Sequence, residues 1–283
     1  MRPIPVLLAF VAALVCACAP HRSAGNSQPQ PAQTRGRIVT LMPSFADDVY
    51  AIGAGSQLVA VSAFTDAPQA QRLPRVADAS SVDAEEILAL RPSAVIGIPP
   101  QARFVESLEN AGLRVVLLSN DSYGSIFTNL RAIGELTGRQ RPAVALIAGL
   151  QRETAALHAR TATFVRHPSV FVVLGSMPIW TAGAGSYITT LISLAGGRNA
   201  ASDLSAAYGQ YSAEALLRRQ PDMLVVDPST QLETTLDREP WRNLRAVRLR
   251  RIYVVNPDVL ERPGPNYNDG VRWLLEHIAP LAK

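Results

Sequence analysis

Two kinds of apolar pattern alternate along most of the chain. Short runs rich in β-branched residues are continuous enough in apolar character to be strands buried on both faces of a parallel sheet. Stretches with apolar residues at helical spacing separate most of these runs, as in βαβ crossovers. The pattern therefore predicts an α/β fold with mostly parallel sheets. The predicted strands are 37–41, 58–62, 94–98 and 114–118 in the first half of the chain and 169–174, 223–227 and 251–255 in the second half.

One sequence feature occurs in both halves. Glu85 begins a leucine-rich helical pattern that ends at Pro92, and Glu214 begins a similar pattern that ends, at the same spacing, at Pro221. In both cases the proline ends the helix and a strand follows. The repetition predicts two lobes of similar, Rossmann-like architecture.

A long helical pattern lies between the two halves. Pro142 suits the first turn of a helix, and no Gly-Pro break follows it. Small or apolar side chains then recur at helical spacing, at Ile147, Leu150, Thr154 and Leu157. We expect one continuous helix that acts as a stiff hinge. The expected domains are an N-terminal lobe over 37–140, the connecting helix over 141–165 and a C-terminal lobe over 166–283.

The first residues have the pattern of an export signal. An arginine is followed by an apolar run over residues 4–15 and by small residues around Cys16 and Cys18. This run is shorter than the roughly 18 apolar residues that a membrane-spanning helix needs, so we expect a secretory signal over 1–18. Two cleavage sites stay open: a lipobox that makes Cys18 a lipidated N-terminus, which we favour, and an ordinary site near Ala19.

Residues 19–36 are polar and rich in Pro, Gln and Ser, with no apolar surface to bury. Such composition is typical of a flexible tether. With Cys18 lipidated, the tether would hold a globular domain beside a membrane in the periplasm or at the cell surface.

Composition and motifs narrow the classes of function. The net charge of +4 is small and the basic residues are scattered, which excludes a nucleic-acid footprint. Beyond the signal, the chain has no cysteine pair, no G-x-S-x-G and no H-E-x-x-H motif. Its four histidines lie outside the loops expected to form a cleft, which counts against a histidine-ligated metal or haem. We therefore expect no enzyme, and no catalytic residue, metal or cofactor.

A glycine turn requires a separate explanation. In WTAGAGSYITTLISLAGGRN, Gly183 and Gly185 precede an apolar helical run, and Asp203 lies near the distance at which an acidic residue meets the ribose of a dinucleotide. Two features count against that interpretation, because Ile188 occupies the third glycine position and several residues separate the strand from the glycines. An exported dinucleotide-dependent enzyme stays the less favoured alternative.

Five segments define a longer pattern. They are RIVTLMPSFADDVYAIGAGSQLVAVSAFTDAP, VDAEEILALRPSAVIGIP, the long connecting helix, WTAGAGSYITTLISLAGGRN and NPDVLERPGPNYNDGVRWL. In this order they resemble periplasmic substrate-binding proteins of ABC importers in the cobalamin and ferric-siderophore class. The resemblance covers the chain from about Arg37 to Lys283. It implies a monomer of two lobes that holds a metal chelate, a corrinoid or a ferric siderophore, and delivers it to a permease/ATPase complex. A lipoprotein adaptor with a vestigial cleft is a second alternative.

The resemblance and the position of loops at the carboxyl ends of parallel strands predict the ligand contacts. Trp180 ranks first because its Pro- and Gly-flanked loop offers no periodic core position, and its ring would stack on a flat ligand. Packing within its own lobe is the alternative for Trp180, as core packing is for Phe64 and Tyr208. Asp66 is either a contact or a turn residue before Pro68. The predicted ligand-binding residues are Ser44, Phe64, Asp66, Ser80, Trp180, Tyr187, Tyr208 and Arg262.

Two departures from the family pattern bear on the ligand. Ala79 and Ser80 stand where a cobalamin binder has a tryptophan, and Val259 and Leu260 stand where it has aromatic residues. A ferric siderophore, usually anionic, would need guanidinium groups such as that of Arg262.

The resemblance also implies docking to the permease through one glutamate on each lobe. Glu261 matches that position in the second lobe, where surrounding prolines predict a stiff surface loop without regular hydrogen bonding. Glu106, one turn beyond Ala102, is the nearest first-lobe candidate. Exposed charges of this kind steer encounter and fix orientation. Local pairing of Glu261 with Arg262 is the alternative.

Overall fold

The computed structural model describes residues 36–78 and 80–283. The export signal, Cys18 and all but the last residue of the expected tether lie outside the described residues. The strands of the first lobe are β1 Ile38–Thr40, β2 Leu58–Ser62, β3 Arg75–Ala77, β4 Ala94–Gly97 and β5 Val115–Leu117. They form one parallel sheet in the order β3-β2-β1-β4-β5. Such an order requires crossover connections, which the helices supply.

The helices of the first lobe cover the faces of this sheet. They are α1 Pro43–Ala51, α2 Ala84–Leu90, α3 Ala102–Asn110 and α4 Tyr123–Leu136, and α5 Gln140–Ala159 follows them. Buried apolar residues on both faces of the strands, such as Ile38 and Val39, explain why these strands are continuously apolar.

The second lobe has two sheets. Its strands are β6 Ser169–Val173, β7 Gly175–Ser176, β8 Ile179–Ala182, β9 Arg198–Asn199, β10 Tyr208–Gln210, β11 Met223–Val226 and β12 Ile252–Val254. A parallel sheet has the order β12-β11-β6-β9, and a small antiparallel sheet has the order β10-β8-β7. The helices are α6 Tyr187–Leu194, α7 Ala213–Arg219, α8 Arg245–Arg248, α9 Pro257–Leu260 and α10 Tyr267–Ile278.

The predicted α/β class and the predicted strands are confirmed. All seven predicted strands are present, and each end lies within one residue of its predicted position. The remaining five strands, β3 and β7 to β10, were not predicted, because they are short or lack an apolar run.

The sequence repeat corresponds to a structural repeat. Helices α2 and α7 each have seven residues, and each begins at a side-chain cap, Asp83 in one and Ser212 in the other. Each ends at a residue in the left-handed region, Arg91 with φ 48° and Gln220 with φ 43°. The proline that follows disfavours a helical conformation for that residue, so the chain leaves the helix and enters the next strand.

Helix α5 joins the lobes through one buried face. Ile147, Leu150, Thr154 and Leu157, predicted at helical spacing, are all buried. The Thr154 hydroxyl lies 2.5 Å from the Tyr267 hydroxyl and donates to Asn268 at 2.9 Å, both on α10. One apolar cluster therefore continues through α4, α5, α6 and α10 and includes core residues of both lobes. This packing supports the expectation of a stiff connection.

Candidate functional site

Three adjoining cavities lie where the carboxyl ends of strands from the two lobes meet. Their volumes are about 340, 360 and 460 Å³, and we call them the first, second and third cavities and together the cleft. The first is lined by Asp47, Asp66, Asp258, Arg262 and neighbouring residues. The second includes Ser44, Phe64, Asn120, Asp258, Glu261 and Arg262. The third includes Asn120, Asp121, Trp180, Ile188, Tyr208 and Glu261. Shared residues join the three into one continuous depression.

Aromatic side chains from both lobes face the cleft. Phe64, in the loop after β2, is 58% exposed, and Trp180, on β8, is 41% exposed. The side chain of Tyr208 is half-buried on β10, which pairs with β8 in the antiparallel sheet. Large apolar rings that are exposed on two facing walls often mark a binding site, and these rings suit contact with a flat ligand.

A cluster of charges forms the first cavity. The Arg262 guanidinium lies 2.7 Å from Asp66, 3.6 Å from Asp47 and 2.5 Å from Asp258. Asp47 and Asp66 belong to the first lobe, so this cluster connects the two lobes. Arg262 is therefore occupied by carboxylates in this structure.

The pKa values of the cluster reflect this arrangement. Burial raises the pKa of Asp47 to about 6, and the nearby Arg262 charge limits the rise. The hydrogen bond from Arg262 lowers the pKa of Asp66. Burial raises the pKa of Asp258, against the opposing effect of Arg262. The positive charge of Arg262 thus lowers the pKa of Asp66 but does not offset the effect of burial on the pKa values of Asp47 and Asp258.

Glu261 is not the solvated loop residue that the sequence predicts. Residues Pro257–Leu260 form helix α9, capped by the Asn256 side chain, so the expectation of a stretch without regular hydrogen bonding is wrong. Proline occupies the first turn of α9, where its missing N–H costs nothing. Glu261 follows at the end of the helix, half-buried, and lines the second and third cavities. This side chain therefore borders the cleft, and its predicted role in docking stays a prediction.

The environment of Glu261 is apolar and acidic. Burial raises its pKa to about 7, and the charge and hydrogen bond of Asp227 add to the rise. Burial raises the pKa of Tyr208 as well, with the charges of Glu261 and Asp121 contributing. Asp121, Glu261 and Tyr208 line the third cavity, and Asp227 lies close enough to Glu261 to raise its pKa.

Tyr187, a predicted ligand contact, is buried in this structure. Its side chain is 0% exposed, and its backbone N–H donates to the Asp121 carbonyl of the first lobe at 2.8 Å. The first backbone N–H of α6 is therefore used in a contact between the lobes, and the next residue, Ile188, lines the third cavity. Sequence periodicity gave no sign of this tertiary hydrogen bond.

Ser44 and Ser80 differ in their placement. Ser44 is only 2% exposed, yet it lines the second cavity, and its hydroxyl has no hydrogen-bond partner among the described residues. Ser80 is exposed and donates its backbone N–H and its hydroxyl to Asp78 at 2.7 and 3.0 Å. It is not among the residues that line the three cavities.

The glycine turn has a structural explanation. A Cβ at Gly183 would overlap the Ala206 carbonyl oxygen and lie 2.5 Å from that of Leu204. The backbone N–H of Gly183 donates to Ala207, and that of Ala184 donates to Leu204. The turn is thus packed against a neighbouring segment of chain, which is incompatible with a phosphate cradle at Gly183.

Several cleft residues were not predicted from the sequence. Asn120 and Asp121 follow β5, so the rule of strand carboxyl ends could have found them. The same rule could have found Asp227, which follows β11 and influences Glu261 without lining a cavity. Asp47 lies within helix α1, and no sequence signal distinguishes it from a surface residue. Glu106 lies on α3, where it is exposed and outside the cleft.

Two kinds of feature are absent from residues 36–78 and 80–283, a membrane-spanning helix and a metal-binding cluster. Every helix in these ranges is too short or too polar to cross a membrane. No group of three or more His, Cys, Asp or Glu side chains in the same ranges could hold a metal ion.

Two α/β lobes with a cleft between them are the architecture of a bilobal solute-binding protein. The family of periplasmic binding proteins matches residues 38–259, and the chain belongs to this family.

The sequences and a crystal structure of similar proteins are consistent with membership of this family. The chain is 27% identical to the ABC transporter substrate-binding lipoprotein YvrC of Bacillus subtilis, over 86% of this chain and 80% of that protein. It is 30% identical to the vitamin B12-binding protein of Pectobacterium carotovorum, over 81% and 83% of the two chains. The crystal structure of the periplasmic vitamin B12 binding protein BtuF of Vibrio cholerae matches with a TM-score of 0.76 and 26% identity, covering 88% of this chain and 99% of that one.

Proposed function

We propose that this protein is the extracytoplasmic binding component of an ABC importer and that it carries a metal chelate, a corrinoid or a ferric siderophore. The observation that carries the proposal is the pair of exposed aromatic walls, Phe64 and Trp180, contributed by opposite lobes. Flat macrocycles and compact chelates both present faces that such rings can contact. The vitamin B12-binding relatives support the corrinoid arm of the proposal.

The test is direct binding. Purified protein is incubated with cyanocobalamin, ferric siderophores, haem or NAD, and the absorbance that coelutes in gel filtration is measured. Retention of a chelate supports the proposal. Retention of NAD alone would favour a dinucleotide-dependent enzyme, and retention of nothing would favour an adaptor with a vestigial cleft.

We propose that docking to the permease uses Glu85 and Glu214, as an alternative to the predicted pair Glu261 and Glu106. Each is the second residue of its helix, α2 or α7, and each is exposed. These helices run back along their sheets and therefore begin at the cleft edge, one on each lobe. This equivalence suits a partner with two similar subunits, as the family resemblance implies.

The docking test combines charge reversals. Glu85→Arg with Glu214→Arg should reduce uptake of the chelate by the importer and leave its affinity in solution unchanged, because neither residue lines the cleft. Glu109→Arg is the matched control, a charge reversal at an exposed residue of α3 outside the repeat. Normal uptake by the double variant would contradict this assignment.

We propose that Cys18 carries a lipid anchor after removal of the signal. The lipobox pattern and the lipoprotein relative in Bacillus subtilis support this proposal. In cells, Cys18→Ala should shift the protein from the membrane fraction to the soluble fraction, and Cys16→Ala should not. Equal membrane retention of both variants would contradict lipidation at Cys18.

We propose further that the exported domain is a monomer without catalytic activity, divided into lobes over 37–140 and 166–283 by the segment 141–165, which contains most of α5. The separate parallel sheets on either side of the long helix α5 support this division. Light scattering with and without bound chelate measures the oligomeric state, and a stable dimer would contradict it.

A further inference from the structure

The side chains that line the cleft include many more acidic than basic groups. Among the described residues that line its three cavities, five are acidic and Arg262 alone is basic. Arg262 is bound to Asp66, Asp47 and Asp258, so its positive charge is largely compensated inside the first cavity. The rest of the cleft has no basic lining residue of its own.

The excess of acidic over basic residues is clearest in the third cavity. Its described lining residues include Asp121 and Glu261 and no Lys, Arg or His. Trp180 and Tyr208 line the same cavity, so a ligand that stacks on Trp180 occupies a space bordered by both acidic residues. A ligand that carries negative charge at this point would meet like charges at short range in a partly desolvated site, where repulsion is strong.

The titratable groups that interact with Glu261 in the second lobe are acidic or neutral. Asp227 comes from the end of β11, Tyr208 from β10 and Tyr187 from α6. Arg262 follows it directly in the chain, but its guanidinium is held by carboxylates in the first cavity. Glu261 is thus without a compensating cation in the described structure.

The second cavity holds an independent sign of a missing polar partner. The Ser44 hydroxyl is buried and without a partner among the described residues, and it shares this cavity with Glu261. A buried hydroxyl usually has a hydrogen-bond partner, and an unpaired one costs free energy. The side chain can donate to, or accept from, a polar group on a ligand that enters the second cavity.

We propose that Glu261 contacts the ligand and makes the cleft select chelates whose edges present hydrogen-bond donors or positive charge over chelates that carry carboxylate or catecholate charges. The inference rests on the proposed binding function and specifies its substrate class. Amide N–H groups at the edge of a chelate would donate to Glu261, and an anionic group there would be repelled.

The experiment uses pairs of probes that differ mainly in charge. The pairs are cyanocobalamin with its monocarboxylate, in which one edge amide is hydrolysed; haemin dimethyl ester with haemin; and an uncharged ferric trihydroxamate with an anionic ferric tris-catecholate. Affinities are measured at pH 8 for the parent, for Glu261→Gln and for Glu106→Gln, which makes the same chemical change outside the cleft. Thermal melting of each variant verifies that it is folded.

In any pair that binds, the parent should prefer the less negative member by about tenfold, the ratio that corresponds to one pKa unit of interaction. Glu261→Gln should remove most of this preference by tightening the anionic member, and Glu106→Gln should keep it. An equal preference in the parent and in Glu261→Gln would overturn the inference and leave the proposed function intact. Failure of the parent to bind any probe would overturn both.

The unmodified parent provides a second measurement. Its preference within the cobalamin pair should shrink between pH 8 and pH 6, because Glu261 takes up a proton in this range. Asp47 also titrates near pH 6 but lies in the first cavity beside Arg262, and Glu261→Gln retains it. A pH dependence that persists in Glu261→Gln would contradict the assignment to Glu261.

Discussion

The raised pKa of Glu261 predicts a stability effect that can be measured without any ligand. The perturbation is Glu261→Gln, which keeps the shape of the side chain and removes its ability to ionise. In the folded protein, burial and the neighbouring Asp227 raise the pKa of Glu261 from 4.5 to about 7. In the unfolded chain the carboxyl group returns to its ordinary value.

The sign follows from proton binding. Between pH 4.5 and about 7 the folded protein holds this proton and the unfolded chain does not, so the free energy of unfolding falls as the pH rises through this window. At about 1.4 kcal/mol per pKa unit the full loss would be roughly 3 kcal/mol. Because Glu261 is only half-buried, solvent screening reduces this to about 1 to 2 kcal/mol.

The assay is urea unfolding of the parent, Glu261→Gln and Glu106→Gln at a series of pH values from about 5 to 8. The stability of Glu261→Gln relative to the parent should grow by about 1 to 2 kcal/mol across the series. Asp47 titrates in the same range, but all three proteins contain it, so its effect cancels. A relative stability that does not change with pH, or an equal change in Glu106→Gln, would refute the reasoning.

Two further predictions concern the glycine turn and the aromatic wall. Gly183→Ala should cost about 3 kcal/mol or more, because its Cβ would overlap a backbone oxygen, and should lower the melting temperature by roughly 6 to 12 °C. Gly185→Ala is the control, since the nearest atom to its Cβ would be 3.7 Å away, and equal melting of the two variants would exclude the packing explanation. Bound chelate should quench tryptophan fluorescence, and Trp180→Phe should lose most of this quenching. Trp273→Phe is the control and should retain the quenching, because the ring of Trp273 packs on His277. Full quenching in Trp180→Phe would refute stacking.

The parallel sheets could be predicted because their strands are buried on both faces. Residues such as Val95 and Val225 leave no polar face along the strand, so the apolar runs stand out in the sequence. The antiparallel sheet could not be predicted in this way. Strand β8 has only four residues after a proline turn, and its partner β10 lies far along the chain. Local pattern contains no information on that pairing.

The residues of the candidate site also differ in whether the sequence could identify them. Phe64 and Asp66 follow a predicted strand, so the carboxyl-end rule located them. Tyr187 and Glu261 required tertiary information: the first is held by a backbone hydrogen bond from the other lobe, and the second is turned inward by a short helix. Spacing along the chain indicates which loops face a cleft, and packing decides which side chains do.

The apolar cluster that runs through both lobes has a consequence for how the protein unfolds. Residues of the first lobe, such as Phe45 and Ile126, and residues of the second, such as Leu191 and Leu274, belong to the same buried cluster. Neither lobe can lose its packing without exposing apolar surface of the other, so the domain should unfold cooperatively in one transition despite its bilobal outline. An importer that empties the cleft must therefore separate the walls by small displacements around α5, since a wide opening would begin to expose the core that keeps the domain folded.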